Sequence, residues 1–383
     1  MMGAHLDEVY PLLPIEPVAG SGCFIEDADG RKVLDMYGGH AVALLGYGHP
    51  RLTDAIAQQA GRMIFQSNVV PLDVRYRAAD KLAAFAGAGL ERVFFVNSGG
   101  EANENALRLA VRLTGRNQVI ALEHGFHGRT AAAAAVSWGS DKGWYGFPQT
   151  PFEVRFVPHD NADALAEAIG PNTAAVIAEP VQGMAGAYDL SKEFLETARS
   201  ATAAAGALLI LDEVQSGMGR LGAPFGANLY GIEPDLLTTA KGLAGGMPAG
   251  AVLMREGIAR HMKAGDLGTT FGGGPVIAAA IEAVLDTIIE EQLLDNVQRV
   301  SALIRERCLV GPVESIQGQG FLVGLRTAVP AVNIRNALLE HHNILTGTSS
   351  DPHVLRLLPP LTLNDEHVDQ LVSALGEIEN AAV

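Results

Sequence analysis

The chain has 383 residues, 48% hydrophobic and 18% charged, so it carries apolar material for a large core and too little charge for a disordered chain. Lys and Arg number 27 against 43 Asp and Glu, and the net charge of −16 argues against nucleic acid and anionic membranes as partners, since both need a cationic surface. The length suits two or three domains, and two cysteines, Cys23 and Cys308, make no disulfide framework and fit a reducing cytoplasm.

Residues 1–20 lack a basic stretch followed by an apolar run, so no signal peptide is expected. No apolar run approaches ~18 residues, and no membrane span is expected either. Asp27-Ala28-Asp29-Gly30, between two short apolar segments, predicts a β-hairpin. From about residue 50 the pattern changes. Short apolar runs at 92–96, 118–122, 154–157, 174–178, 207–211, 236–239 and 250–253 read as strands. Helical patterns lie between them, at 101–113, 162–169 and 192–205. Apolar strands alternating with helices predict an α/β fold, with a mostly parallel seven-stranded sheet covered on both faces. After Gly272-Gly273-Gly274-Pro275 a long helix leads into a smaller α+β region. The expected division is an N-terminal segment over 1–49, a large domain over 50–275 and a small C-terminal domain over 276–383.

In an open parallel sheet, ligands bind beyond the carboxyl ends of the strands. Four strand ends carry suggestive residues. Ser98, Gly99 and Gly100 precede a helix, whose exposed N–H groups favour a phosphate; a plain serine N-cap is an equal reading. Glu123-His124-Gly125-Phe126-His127-Gly128-Arg129 offers Phe126 to a flat ring and Arg129 to a carboxylate. The spacing of His124 and His127 is not that of a helical metal site, and no metal is expected. Asp212 ends an apolar strand, where a carboxylate is costly unless it meets a positive charge. Lys241 is one of only six lysines, and it follows a strand of apolar and Thr residues and precedes a glycine-rich loop. A lysine desolvated there suits Schiff-base chemistry.

Gly217-Met218-Gly219-Arg220-Leu221-Gly222 matches the spacing of a dinucleotide fingerprint. It begins five residues past Asp212 and runs into Pro224, which a strand–turn–helix motif would not do. A phosphate nest, an aromatic ring, an Asp for a ring nitrogen and a buried Lys are together what pyridoxal 5′-phosphate (PLP) needs.

On these residues the chain resembles a class III aminotransferase of the PLP fold type I superfamily, and within it the acetylornithine and ornithine aminotransferase group. The likeness includes Gly46-Tyr47-Gly48-His49-Pro50, Glu179-Pro180-Val181-Gln182-Gly183, Gly268-Thr269-Thr270-Phe271-Gly272-Gly273 and Leu355-Arg356-Leu357-Leu358-Pro359-Pro360. These motifs are weak singly and strong in family order over nearly the whole chain. The resemblance implies that Lys241 is the Schiff-base lysine and proton shuttle, that Asp212 pairs with the pyridinium, and that Gln215 meets the phenolic oxygen. Val214 and Phe126 would sandwich the ring, with Glu179 nearby. Ser98, Gly99 and Gly100 would hold the phosphate, and Thr270 would reach it from the neighbouring subunit of an obligate homodimer. Arg129 and Arg356 would bind substrate carboxylates.

The implied reaction is ping-pong transfer of the terminal amine of an Nα-acylated ornithine, acetylornithine first among them, to 2-oxoglutarate, as in arginine biosynthesis. An acyl-lysine, succinylornithine, ornithine or 4-aminobutyrate aminotransferase and an aminomutase stand as alternatives. More remote are a nicotinamide oxidoreductase and a silent binding protein. The sequence departs from the family at Met184, where a glutamate usually pairs with the arginine matching Arg356; Arg356 is therefore expected to stay available as an anion anchor. Residues 67–70 lack the aromatics common there, and Gly274 replaces a usual Asn.

Overall fold

The computed structural model describes residues 5, 7 and 9–378. The outer ends of the first and last expected segments, residues 1–4, 6, 8 and 379–383, lie outside the described residues, and so does part of the 1–20 stretch read for a signal peptide.

Three short strands open the chain: β1 (Pro17–Ser21), β2 (Phe24–Asp27) and β3 (Lys32–Asp35). The expected hairpin forms between β2 and β3. Asp27 makes its turn, accepting from Asp29 N at 3.1 Å and Arg31 N at 2.8 Å, and Gly30 takes a φ of 79° that a side chain would resist.

The large sheet holds β4 (Arg92–Val96), β5 (Gln118–Leu122), β6 (Glu153–Val157), β7 (Thr173–Ala178), β10 (Leu208–Asp212), β11 (Leu236–Thr239) and β12 (Gly250–Met254). Two two-residue strands, β8 (Val181–Gln182) and β9 (Tyr188–Asp189), pair with each other after β7. The order across the sheet is β4-β12-β11-β10-β7-β5-β6. β12 alone runs against its neighbours β11 and β4; the other adjacent pairs are parallel. Each strand begins and ends within one residue of its expected place. Every residue of β7 is buried, as a strand covered on both faces requires.

The covering helices explain the parallel arrangement. Gly99–Thr114 carries the chain back from β4 to β5 and buries Ala102, Ala106, Leu107 and Ala110. Ser98 caps it, its hydroxyl accepting from Glu101 N at 3.2 Å, and Gly115 ends it with a φ of 66°. Lys192–Ala205 is built the same way, between a Ser191 cap and Gly206 at a φ of 64°.

The helix Pro275–Glu290 packs on Pro50–Arg62 and Asp73–Ala86, and also on Leu293–Arg307. A second sheet follows, ordered β13 (Val313–Gln319), β14 (Leu322–Thr327), β17 (Val354–Leu357) and β16 (Gly347–Thr348). β15 (Ile344–Leu345) leaves this region to pair in parallel with β3. That pairing supports grouping residues 1–49 with the C-terminal part. We retain the three-part division as a proposal.

Among the described residues no helix is long and apolar enough to cross a membrane, and no group of three or more His, Cys, Asp or Glu is placed to hold a metal. Cys23 and Cys308 are buried and unpaired; burial pushes their thiols up to about 11 and about 12.

Candidate active site

The loops after β4, β5, β7, β10 and β11 open on one side of the large sheet and enclose a cavity of about 320 Å3. Its wall includes Ser98, Gly99, Gly100, Phe126, Glu179, Asp212, Val214, Gln215 and Lys241. The parallel strands explain this convergence, because every carboxyl end points the same way.

Asp212, the last residue of β10, is 3% exposed. Its Oδ2 accepts from Asn103 Nδ2 and lies beside His127 Nδ1, both at 2.7 Å; its Oδ1 accepts from Val214 N at 3.0 Å. Asn103 is itself fixed: Nδ2 also donates to His127 O at 2.7 Å, and Oδ1 accepts from Thr238 Oγ1 at 2.6 Å. Burial alone would lower His127, but its hydrogen bond to Asp212 and that carboxylate's charge outweigh burial and raise it. A buried carboxylate held by three donors is oriented before any ligand arrives, and it can hold a proton on a neighbouring nitrogen.

Lys241 follows β11 with a φ of 46°, a conformation a non-glycine residue keeps only when its surroundings impose it. Burial pushes its amine down to about 8, while Asp212 and Glu179 pull it back up. Glu179, beyond β7, accepts from Phe126 N at 2.9 Å. Burial pushes its carboxyl up to about 7 against the pull of His127. The site therefore joins an amine and an acid that both change charge near neutrality, a common condition for proton transfer.

The residues present fit PLP. The cavity lies in the usual size range for a small ligand, roughly 300–1,000 Å3. At its floor Gly99 leaves room that a side chain would take: a Cβ there would stand 2.8 Å from Val214 Cγ1. Gly99 and Gly100 open the helix Gly99–Thr114, where N–H groups and the helix dipole favour a phosphate. Val214 and Phe126 both line the space where a flat ring would sit. Ser98 serves as cap and wall at once, so its two readings are compatible.

Three expected site residues lie outside the cavity wall. Arg129 is exposed and stacks over Trp144, with 4.5 Å from its guanidinium carbon to the ring centre. Thr270 is exposed. Arg356 is 2% exposed on β17 and is bonded to neutral groups of its own chain.

The sequence reading missed Asn103, Trp144 and Tyr37, and it weighed His127 against a metal site without pairing it to Asp212. Asn103 had a signal: it shares helical spacing with Ala106, Leu107 and Ala110, an apolar face on which an amide must find a partner. The glycine motif at 217–222 forms a buried turn, and the next helix, Gly226–Tyr230, begins only after it, so no dinucleotide cradle is built there. Arg220 within it is buried, donates to Pro359 O, and is pushed down to about 9 by burial.

The family model for class-III aminotransferases matches residues 7–378. The acetylornithine aminotransferase of Streptomyces coelicolor is 41% identical over 377 residues, covering 97% of this chain and 92% of that one. The [LysW]-aminoadipate semialdehyde transaminase of Deinococcus radiodurans is 36% identical, covering 97% and 87%. Among solved structures, the ornithine aminotransferase of Toxoplasma gondii, with PLP at partial occupancy in its active site, superposes with a TM-score of 0.90 at 29% identity, covering 98% and 91%.

Proposed function

The chain belongs to the class-III aminotransferase family, and from that premise we propose that it moves the terminal amino group of an Nα-acylated ornithine to 2-oxoglutarate with PLP as cofactor. The observation that carries the reading is one cavity shared by the Lys241 amine, the buried Asp212 carboxylate and the N-terminus of the helix Gly99–Thr114. The acetylornithine aminotransferase of Streptomyces coelicolor supports the substrate.

When bound, PLP supplies an aldehyde that carries the amino group between substrates and a ring that spreads developing charge. Lys241 would hold the cofactor covalently and then move a proton at the substrate's reacting carbon, for which an amine near neutrality is well matched. Asp212, oriented by Asn103 and His127, would keep a proton on the ring nitrogen. Ser98 and the N–H groups of Gly99 and Gly100 would hold the phosphate, and Gln215 the phenolic oxygen. Val214 and Phe126 would flank the ring. Glu179 would sit beside it and moderate the charge of Lys241.

Arg129 would take the donor's α-carboxylate and Arg356 a carboxylate of 2-oxoglutarate. An acyl group suits this site because it removes the ammonium charge that Arg129 would repel. Thr270, exposed here, would complete the phosphate site of a second copy, which makes a homodimer part of the proposal, as is a cytoplasmic location. The [LysW]-aminoadipate semialdehyde transaminase among the relatives favours an acylated lysine as the second reading.

Purified protein loaded with PLP should form glutamate from 2-oxoglutarate with acetylornithine faster than with succinylornithine, an acylated lysine, free ornithine or 4-aminobutyrate. Faster turnover of any of those four would reassign the donor.

A further inference from the structure

Every acceptor that Arg356 meets is neutral. Nε donates to Thr348 O at 2.7 Å, Nη1 to Gly183 O at 3.2 Å and to Met184 Sδ at 3.4 Å, and Nη2 to Tyr37 Oη at 3.0 Å. Among the described residues no carboxylate pairs with it, and Glu179 acts on it only at a distance. A cation buried to this degree is normally matched by an anion. Nη1 and Nη2, which could set two parallel bonds on a carboxylate, are instead occupied by a backbone carbonyl, a thioether and a hydroxyl. A thioether is a weak acceptor, and the hydroxyl carries no charge.

The hydroxyl is held from its far side. Tyr37 Oη lies 2.8 Å from His40 Nδ1 and 3.0 Å from Arg356 Nη2. Arg356 can only donate, so Tyr37 turns its own proton to His40, whose neutral imidazole accepts it. Burial and the adjacent positive charges of Arg356 and Lys241 keep His40 below its ordinary value, in agreement with that assignment. The Tyr37 ring lies 5.6 Å from the guanidinium carbon, and Gly347 leaves the ring its space, since a Cβ there would overlap it.

We propose that Tyr37 and Met184 form a neutral gate on Arg356, so that a ligand carboxylate displaces them in either half of the transfer and five-carbon dicarboxylates compete with the amine donor. A carboxylate gate would hold the guanidinium shut by charge whenever no stronger anion was present. The uncharged gate yields to any ligand carboxylate that reaches it. 2-Oxoglutarate then binds the form of the enzyme that awaits the donor and inhibits it. The inference rests on Arg356 being the acceptor's anchor, as proposed above, and it assigns Tyr37, His40 and Met184 to specificity.

The test is calorimetric titration of glutarate, a dicarboxylate that cannot react, into the PLP-loaded protein, beside steady-state inhibition by 2-oxoglutarate at varied donor. Visible absorption of the bound cofactor reports that each variant keeps its site. Wild type should bind glutarate and show inhibition competitive with the donor. Met184→Glu should weaken glutarate by about tenfold or more and relieve the inhibition. Met184→Leu, which keeps the gate neutral and its volume, should bind within about twofold of wild type. Tyr37→Phe should bind more tightly than wild type. Equal affinity in wild type, Met184→Glu and Tyr37→Phe overturns the gate, and so does glutarate binding that survives Arg356→Met. If the expected pattern holds while no acylated diamino acid is turned over, the gate stands and the donor assignment falls. If the donor is turned over and the pattern fails, the gate alone falls.

Discussion

His127 Nδ1 lies 2.7 Å from Asp212 Oδ2, and both side chains are almost wholly buried. The two residues lie 85 positions apart in the chain, His127 in the loop after β5 and Asp212 at the end of β10, and Asn103 bonds to both of them. The carboxylate that is to act on a ring nitrogen is therefore positioned by two residues that line the same cavity.

Asp212→Asn keeps the shape and removes the charge. It should lower amino transfer by ~100-fold or more while the protein still binds PLP, as read by stopped-flow turnover and visible absorption. Asn103→Leu and His127→Phe should cost less, ~10-fold, and should act on kcat more than on KM. Wild-type kcat in both positioning variants would remove them from the proposal.

The cofactor-free protein should capture PLP at a rate that rises with pH and levels off above about 8, since only the neutral Lys241 amine attacks. An ordinary lysine would keep rising toward 10.5. Capture followed by borohydride reduction and peptide mapping checks both the profile and the residue, and Lys241→Ala should yield no label.

Gly99→Ala places a methyl 2.8 Å from the stiff Val214 side chain, at the point where ring and phosphate sites meet. PLP affinity should fall by ~10-fold, measured by equilibrium dialysis, while the far-ultraviolet spectrum stays that of the wild type.

Arg129→Ala should raise the KM for the acylated donor by ~10-fold and leave that for 2-oxoglutarate nearly unchanged. Trp144→Ala should do the same more weakly, because it removes the ring over which the guanidinium lies at 4.5 Å. Equal effects on both substrates would mean that Arg129 does not distinguish them.

Glu213 is fully buried, accepting from Ala227 N at 2.7 Å and Gly226 N at 2.5 Å, and burial pushes its carboxyl up from 4.5 to about 7. A folded value above the unfolded one means that the native state holds the proton longer. The contribution to stability is full below 4.5 and is lost as pH rises through about 7, by roughly 3 kcal/mol at most. Urea unfolding of the cofactor-free protein between these limits should show a flatter pH dependence for Glu213→Gln than for wild type.

Much of this was legible in the residue order. The seven strands of the large sheet announce themselves as short apolar runs between helical patterns, because a strand covered on both faces has no polar side to show. The ends of four of these strands then point to Ser98, Phe126, Asp212 and Lys241, since the carboxyl edge of a parallel sheet is where backbone and side chains stay free for ligands, whereas Glu179 came only with the family resemblance. The single lysine on an apolar strand end needed no coordinates to be noticed.

What required the third dimension was the partnership among residues distant in the chain. No periodicity brings Asn103 and His127 to one oxygen of Asp212, or Thr238 to the amide oxygen of Asn103; the packing of the helix Gly99–Thr114 across β10 and β11 does that. The sequence shows that Met184 stands where a carboxylate is usual, but not that Tyr37, more than 300 residues from Arg356 in the chain, closes the other half of the guanidinium. Local order along a chain decides element type because backbone and neighbouring side chains interact at short range. Which polar group satisfies which buried charge depends on how those elements pack, and only the packed chain contains that information.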